Sequence, residues 1–565
     1  MGRRKPPTAA TLTAATAATL TAATAATLTE ARAAKFRRSS AIYAVVLAVL
    51  VLFVAVVYRR AFQLPEPPDT IAAFSAWLSA GGARWPKLTI APSDLGGFGA
   101  FATEPIAPGE LTITLPRRLM LTAAEAPYSL VGHDTITEVG QRLPELSSML
   151  PLAITLLIEA DAGVRSAYAP YLATLPADVE SATGYGVELR RELIGTSVEP
   201  LLRRHDEVEA TAISAIAAAC ADERPPRPPG FCDRVFAPPR VRWALAMVRS
   251  RAILKDLGSD GIASPPGITT QSPPPPPPPS IPHPIALVAS PSGTPRGGRA
   301  RLTLALAPLV DILNHECLPV DSSHAGSERW VGTRHVYEVR SSRAFARGEE
   351  VRWEYGPKAN HALMMSYGFS LPLGENPHDT VVINMRAARP ASHDALHDTR
   401  QTLLDAVSDH FGDAPLGAPP RLVFTSPFLT RHLLPTPRVA AFVPPATRVR
   451  ARILVARDAS ELEREALLDN QPLASDEREA EALTLLSTLV QRKLALFPGN
   501  AADDAASLEA DEHVASGERL ERKRRMALRL RLGEVRLLEG AKAAMDARAE
   551  ALMDGDGSDD NDEED

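Results

Sequence analysis

Cysteine is scarce in this sequence: only Cys220, Cys232 and Cys317 occur among 565 residues. This scarcity excludes a dense disulfide framework and a zinc site built from four thiolates. A single bridge between Cys220 and Cys232 fits the composition if the domain lies outside the cytosol. The chain is nevertheless long enough for two or three domains and for a sizeable buried core.

The sequence also lacks an overall positive charge. Its formal net charge is -7, so no global basic field predicts a nucleic-acid partner. Charge separates instead by region: residues 1–40 are basic, and residues 553–565 are rich in aspartate and glutamate. Such an acidic end is typical of a solvated, disordered tail that keeps a chain soluble.

One stretch lacks charge altogether. Ala41–Tyr58, AIYAVVLAVLVLFVAVVY, is flanked by two arginines on each side. As a helix it would be roughly 27 Å long, close to the hydrocarbon thickness of a bilayer. It is longer than the apolar part of a cleavable signal peptide, so it predicts a retained, single transmembrane helix at 41–58. More lysine and arginine precede the run than follow it, which places the N-terminus in the cytoplasm and the large C-terminal part in a lumen.

Two low-complexity segments interrupt the chain. Residues 1–40 repeat the unit TLTAATAA, which has too little bulk to form a core and predicts a disordered extension. Its poverty in acidic residues also suits an organellar transit peptide, so a chloroplast location is the alternative to the membrane. Consecutive prolines at residues 264–284 enforce polyproline II, which predicts a stiff surface insertion at about 258–298.

Between these segments the hydrophobic pattern is mixed. Short alternating runs predict strands at Glu110–Pro116, His335–Ser341 and Glu349–Gly356. Apolar residues at helical spacing predict a helix at Arg240–Leu254.

From about residue 381 the strand signals fade and long helical segments rich in alanine, leucine, glutamate and arginine follow. One of them is predicted to begin with Ser475 as its N-cap and Glu477 in its first turn, and to end at Pro498. The sequence therefore predicts an α+β fold followed by an all-helical C-terminal lobe.

A glycine-rich turn occurs early in the chain. Gly96, Gly97 and Gly99 permit left-handed backbone and the close approach of a ligand, and the residues after them resemble a strand. A phosphate-binding dinucleotide motif would need a helix directly after the glycines. The turn therefore does not predict a nucleotide-phosphate site.

Four segments, read in chain order, resemble a SET domain: GGFGAFATEPIAPGE, RWALAMVRSRAI, LALAPLVDILNHEC and GEEVRWEYGPKANHALMMSYGF. The second segment, together with the C-terminal stretch SDEREAEALTLLSTLVQRKLALFP, resembles the Rubisco large-subunit methyltransferase-like branch of SET proteins. This resemblance implies a SET-type fold of short β-sheets at 71–380. It also implies a helical insertion at about 125–250 and a helical substrate-binding domain at 381–552.

The resemblance further implies a protein methyltransferase that uses S-adenosylmethionine and modifies lysine. Asn314 would bind the methionine part of the cofactor, the backbone of His315 the adenine, and Arg251 the carboxylate. The full set of cofactor-binding residues implied in this way is Gly96, Gly97, Phe98, Gly99, Arg251, Asn314, His315 and Tyr355.

Two tyrosines match the catalytic positions of the family, Tyr355 and Tyr367. A hydroxyl can position a neutral amine without competing as a nucleophile, which explains why tyrosine suits methyl transfer. Tyr337, Tyr367 and Ile253 match positions that contact the substrate. Ile253 offers no polar contact to an imidazole, and this favours lysine over histidine.

The expected partners are a protein substrate presented through a lysine, and a membrane through the N-terminal anchor. We expect no nucleic acid and no metal, since the zinc cluster found in other SET branches is absent, and we expect a monomer. The alternatives are a membrane-tethered SET-fold scaffold with vestigial catalysis and a histidine methyltransferase. A binding-only protein would show no affinity for S-adenosylmethionine.

Overall fold

The structure is a computed structural model. It describes residues 70–123, 131, 133–222, 227–256, 302–317, 328–331, 335–372, 374–384, 395–411, 421–425, 439–473, 475–499, 501–511 and 519–554. The predicted extension 1–40, the predicted transmembrane helix 41–58 and the proline-rich insertion 258–298 lie outside these residues, as does most of the acidic tail. Within the described ranges, no helix is both long enough and apolar enough to cross a membrane.

Short antiparallel strands form the first part of the fold. They are β1 (Leu88–Pro92), β2 (Phe98–Ala102), β3 (Leu111–Pro116), β4 (Leu121–Thr122), β5 (Ala252–Asp256), β6 (Leu302–Leu306), β7 (Glu328–Val331), β8 (Val336–Arg340) and β9 (Glu350–Val351). They pair as three small sheets with the orders β1-β2-β9, β3-β8-β7 and β4-β6-β5. Together with the helices described below, these sheets agree with the α+β class predicted from the sequence.

Two of the three predicted strands are confirmed with small changes at their ends. Glu110–Pro116 forms β3, whose Ile113 and Leu115 are fully buried, and His335–Ser341 forms β8. The third prediction, Glu349–Gly356, is wrong in length because only Glu350–Val351 pairs as a strand. Beyond it the chain leaves the sheet, and Trp353 makes an isolated bridge with His315.

Helices surround these sheets, most of them between β4 and β5. They are α1 (Thr70–Ala80), α2 (His133–Arg142), α3 (Met149–Ala162), α4 (Ala169–Leu172), α5 (Val187–Arg191), α6 (Val198–Ala221), α7 (Phe231–Val235), α8 (Pro238–Arg251) and α9 (Asn360–Ser366). Seven of these helices, α2 to α8, lie between His133 and Arg251, where the sequence predicts a helical insertion. Cys220 and Cys232, whose pairing the composition left open, form a disulfide that joins the end of α6 to α7.

The end of α8 differs from the prediction in a way that matters for the site. The pattern predicted a helix over Arg240–Leu254, but α8 ends at Arg251 and β5 begins at Ala252. Ile253 pairs with Ala305 of β6, so a non-local strand partner overrides the local helical pattern. Arg251 consequently lies at the junction between a helix and a strand.

The C-terminal part is mainly helical. Its helices are α10 (His397–Phe411), α11 (Val439–Phe442), α12 (Pro445–Val455), α13 (Arg464–Leu468), α14 (Asp476–Leu494), α15 (Ala501–Asp511) and α16 (Arg519–Met553). The prediction of an all-helical lobe is wrong in one respect, because β10 (Thr380–Asn384) and β11 (Arg421–Thr425) form an antiparallel pair. Val381, Leu422 and Phe424 of this pair are fully buried in the core of the lobe.

The predicted N-cap of α14 is confirmed. Ser475 has extended backbone, and its hydroxyl accepts a hydrogen bond from the Arg478 N–H at 3.3 Å. The helix ends at Leu494, four residues before Pro498. Its apolar face, which includes Leu486 and Val490, packs in one core with residues of α16.

Candidate functional site

The segment that contains Asn314 and His315 lies beside the segment that contains Tyr355. The Trp353 N–H donates to the Asn314 carbonyl at 2.7 Å, and the Glu316 N–H donates to the Trp353 carbonyl at 3.1 Å. These two backbone bonds bring together residues that are about forty positions apart in the chain. Two of the motifs singled out from the sequence therefore meet.

Tyr355 is held in place at both its backbone and its hydroxyl. Its N–H donates to His315 Nδ1 at 3.2 Å, and its hydroxyl donates to the Leu313 carbonyl at 2.9 Å. Its ring centroid lies 4.5 Å from that of Tyr367 and 5.1 Å from that of His315. Phe369 packs against both His315 and Tyr367, and the four rings of His315, Tyr355, Tyr367 and Phe369 form what we call the aromatic cluster.

The aromatic cluster carries no charge near neutral pH. Burial raises the pKa values of Tyr355 and Tyr367 well above the usual value for a tyrosine. Burial also lowers the pKa of His315 to about 4, although the Glu354 carboxylate opposes this shift. The cluster therefore offers neutral hydroxyl groups, and it supplies neither a phenolate nor an imidazolium.

Hydrogen bonds from neutral groups fix the orientation of His315. Because Nδ1 accepts from Tyr355, the hydrogen of the neutral ring lies on Nε2, which is 3.4 Å from Cys317 Sγ. The thiol in turn donates to Asn376 Oδ1 at 3.7 Å, and burial raises the pKa of Cys317 to about 12. Cys317 thus helps to orient His315. In the part of the chain described here, no group of three or more His, Cys, Asp or Glu side chains is placed to hold a metal ion.

The glycine-rich turn approaches the same region through β2. Gly96 and Gly97 both have positive φ, 103° and 67°, a conformation that glycine adopts readily. A Cβ at Gly99 would lie only 2.2 Å from Glu350 Oε1. Glycine at this position therefore lets the Glu350 carboxylate lie directly over the backbone of β2.

The side chain of Asn314 connects the turn to Glu350. Its Nδ2 group donates to Glu350 Oε1 at 2.7 Å and to the Phe98 carbonyl at 3.3 Å. The Glu350 side chain is 9% exposed and also lies 3.3 Å from Arg352 Nε. Sequence reasoning missed Glu350, because nothing in GEEVRWEYG distinguishes a glutamate that turns inward from one that faces solvent.

Arg251 extends the site on the side of α8. Its Nη1 donates to the Asp311 backbone carbonyl at 3.0 Å and lies 3.5 Å from Asp311 Oδ2. The hydroxyl of Tyr171 also donates to Asp311 Oδ2, at 2.7 Å. Asp311 and Tyr171 were not predicted from the sequence as site residues.

The two other predicted substrate contacts, Ile253 and Tyr337, differ from each other in how deeply they are buried. Ile253 is partly buried on β5, two residues after Arg251. Tyr337 is completely buried in β8, opposite Leu115 of β3. Its substrate contact stays a prediction.

Comparison with known proteins follows the same division of the chain. Residues 97–356 match the SET domain family model, and residues 428–538 match the model named Rubisco LSMT substrate-binding. Both matches lie within the predicted ranges 71–380 and 381–552. They confirm the resemblance drawn from the four sequence segments.

Relatives of two specificities are similar to the chain. The N-lysine methyltransferase SETD6 of Rattus norvegicus is 25% identical over 341 residues, 60% of this chain and 61% of the relative. The actin-histidine N-methyltransferase of Drosophila melanogaster is 25% identical over 363 residues, 61% of this chain and 57% of the relative. The chain thus spans about three fifths of the length of these relatives.

A solved structure of Rubisco LSMT bound to AdoMet shares the fold with a TM-score of 0.56. It is 17% identical and the match covers 86% of this chain and 93% of that chain.

Proposed function

We propose that this chain, which carries a SET domain followed by a Rubisco LSMT substrate-binding domain, transfers a methyl group from S-adenosylmethionine to a lysine side chain of a protein. The observation that carries the proposal is the placement of Tyr355. Its hydroxyl is fixed by the Leu313 carbonyl, its ring packs against Tyr367, and its backbone is bonded to His315 beside Asn314.

The residues present fit S-adenosylmethionine. The amino-acid part of the cofactor is a zwitterion, which needs a cation for its carboxylate and oxygen acceptors for its ammonium group. Arg251 supplies the cation. The acceptors are Glu350 and the Phe98 carbonyl. Gly97 is exposed, and a Cβ built there has no described atom within 4 Å, so the turn does not obstruct a ligand at this position. The aromatic cluster is uncharged and therefore does not repel a sulfonium cation.

When bound, S-adenosylmethionine supplies an electrophilic methyl group that a neutral amine can accept. A lysine, with an ordinary pKa of about 10.4, must lose its proton before it can react. Tyr355 is unsuited to remove that proton because its pKa is raised by burial and its own hydrogen is directed at Leu313. Its oxygen lone pairs remain to accept a hydrogen bond from the amine. Tyr355 and Tyr367 thus orient the nucleophile while solvent takes the proton.

A histidine side chain is the alternative substrate, and the similarity to an actin-histidine N-methyltransferase supports it. We prefer lysine because Ile253, two residues after Arg251, has no polar group that could bind an imidazole. The test is to incubate the purified full-length protein with isotopically labelled S-adenosylmethionine and a cell extract. Mass spectrometry of the labelled peptides then identifies the modified residue. Methyl groups found only on histidine would overturn the lysine assignment.

A scaffold with vestigial catalysis is the competing function. Titration with S-adenosylmethionine separates the two, because a scaffold would bind protein partners without measurable affinity for the cofactor. The glycine turn, Asn314 and Arg251 retain the groups that a cofactor needs, which supports the enzyme.

For location, we propose a single-pass membrane anchor at 41–58. The uncharged sequence of that segment supports it, and the Cys220–Cys232 bridge suits the oxidising lumen on the far side. A chloroplast protein whose N-terminus is removed on import is the alternative, and N-terminal sequencing of the mature chain distinguishes them.

We also propose that the protein acts as a monomer, which light scattering of the purified chain tests.

A further inference from the structure

Tyr171 connects the helical insertion to the candidate site. It lies in α4, is completely buried, and donates its hydroxyl hydrogen to Asp311 Oδ2 at 2.7 Å. The two residues are 140 positions apart in the chain. Asp311 is three residues before Asn314, so the contact reaches the loop that carries the predicted cofactor ligands.

Asp311 in turn contacts Arg251. The Asp311 side chain is 1% exposed, and its Oδ2 atom lies 3.5 Å from Arg251 Nη1. Burial raises the pKa of Asp311, whereas the Arg251 guanidinium and the Tyr171 hydroxyl favour its charged form. A buried carboxylate stays ionised only when hydrogen-bond donors or positive charges surround it.

Both contacts from Arg251 to Asp311 use Nη1. The other arm of the guanidinium is not engaged by Asp311, and the Arg251 side chain is 23% exposed. The planar fork of arginine binds a carboxylate well only when its plane is fixed. The backbone carbonyl of Asp311 anchors Nη1, and the carboxylate beside it adds a second constraint on the plane that Arg251 presents to a ligand.

We infer that Tyr171 is a positioning residue for the cofactor site: its hydroxyl fixes the Asp311 carboxylate, which holds Arg251 in the orientation that binds the cofactor carboxylate. The inference rests on the proposed function, because it assigns Arg251 to the carboxylate of S-adenosylmethionine. Tyr171 and Arg251 contact the same carboxylate oxygen, Oδ2, so without the hydroxyl Asp311 loses the donor that fixes this oxygen beside Arg251. Within the described part of the chain, its other oxygen, Oδ1, is buried and has no hydrogen-bond partner, so no second donor replaces Tyr171.

The role of the hydroxyl is separable from the role of the ring. The Tyr171 ring packs near Phe74, with centroids 6.3 Å apart, and Tyr171→Phe keeps this packing. The substitution removes only the hydrogen bond to Asp311. Its effect is therefore expected on ligand binding through Arg251.

The experiment compares two ligands on the full-length protein by calorimetry: S-adenosylmethionine and its decarboxylated form, which lacks only the carboxylate. Tyr171→Phe should weaken binding of S-adenosylmethionine about tenfold, the scale of one hydrogen bond to a charged group. Binding of the decarboxylated ligand should change less than about twofold. The preference of the protein for the carboxylate should thus fall by about the same tenfold factor.

Tyr168→Phe is the matched control. Tyr168 lies three residues earlier, and its hydroxyl donates to the Met120 carbonyl at 3.4 Å. The substitution removes a hydroxyl from the same segment without touching Asp311, and both affinities should stay unchanged. Adding Tyr171→Phe to an Arg251→Met variant should cause no further loss for S-adenosylmethionine, because the group through which Tyr171 acts is already absent.

Three outcomes overturn the inference. In the first, Tyr171→Phe binds S-adenosylmethionine as the wild type does; in the second, it loses affinity for both ligands equally, which indicates a general structural role. The third outcome is a wild type that binds neither ligand, and this result also overturns the proposed function. If Tyr171→Phe does not fold by circular dichroism, Asp311→Asn replaces it, since this change keeps the shape but removes the charge that holds Arg251. It should show the same selective loss.

Discussion

The rings of Tyr355 and Tyr367 lie with their centroids 4.5 Å apart and their planes inclined by 37°. Tyr355 follows the short strand β9, and Tyr367 directly follows α9. The helix places the second ring over the first, and burial keeps both hydroxyls protonated. This pair gives the site its two neutral phenolic hydroxyl groups.

Tyr355→Phe should slow methyl transfer about a hundredfold, the usual effect of removing one positioned hydrogen-bonding group at a reacting centre. The ring and its contact with Tyr367 remain, so cofactor affinity should change little. Single-turnover rates at saturating S-adenosylmethionine measure the effect without interference from product release. A wild-type rate in this variant would remove the central mechanistic claim and favour the scaffold function.

Tyr367→Phe should slow transfer less than Tyr355→Phe does. Tyr367 packs against Tyr355 within the aromatic cluster, so loss of its hydroxyl should alter the space beside the amine and hence the number of methyl groups added. Mass spectrometry of the modified peptide over time measures the distribution of mono-, di- and trimethylated product. An unchanged distribution together with a rate as low as that of Tyr355→Phe would contradict this division of roles.

Asn314→Ala should weaken binding of S-adenosylmethionine by about 1 to 3 kcal/mol, because the amide orients two acceptors proposed for the ammonium group of the cofactor. The groups affected are Glu350 Oε1 and the Phe98 carbonyl, which both accept from the Asn314 amide. Calorimetry measures the affinity, and circular dichroism checks the fold. Gln401→Ala is the control, since that amide bonds only with Asp405 at the exposed surface of α10 among the contacts described. An affinity equal to that of the control would assign Asn314 a purely structural role.

The pH dependence of stability should reveal Glu534, a residue of α16. Its side chain accepts the Ser197 N–H at 3.0 and 2.9 Å, just before α6. Burial raises the pKa of Glu534 to about 8 from an ordinary 4.5; Lys493 opposes this shift and Asp379 adds to it. Between these two pH values the folded protein holds a proton that the unfolded chain has lost, so this group makes stability fall as pH rises from 4.5 to 8.

Glu534→Gln removes that titration and keeps an oxygen for the Ser197 N–H. The melting temperature of the variant minus that of the wild type should therefore increase between pH 4.5 and 8 and then level off. Differential scanning calorimetry across this range measures it. Glu539→Gln, at an exposed position on the same helix, is the matched control for the chemical change itself. Parallel curves for Glu534→Gln and the wild type would show that the carboxyl does not titrate in this window.

Deletion of residues 41–58 should release the protein from membranes, because this run has the length and apolar character of a bilayer span. Carbonate extraction of membranes from expressing cells measures the release. Deletion of residues 273–290, an equal number from the proline-rich insertion, is the matched control and should leave membrane association intact. A deletion variant that still resists carbonate would show that the anchor is elsewhere.

Signals from residues close together in the sequence determined several secondary-structure elements and candidate site positions of this protein. The N-cap at Ser475 needs only its own helix, and the alternation that predicts β3 and β8 needs only neighbouring residues. The motifs also singled out Asn314 and Tyr355 as candidates, because their spacing within short segments is a property of the sequence itself. These features were readable since each depends on residues a few positions apart.

The tertiary structure decided what depends on distant partners. β10 pairs with β11 across some forty residues, and α8 gives way to β5 because Ile253 finds Ala305 on another strand. The site contacts that the sequence missed are of the same kind. Glu350 reaches Asn314 across 36 positions, and Tyr171 reaches Asp311 across 140. Whether a glutamate or a tyrosine turns inward depends on the donor or acceptor that packing brings to it, since a buried polar group is stable only when it is paired.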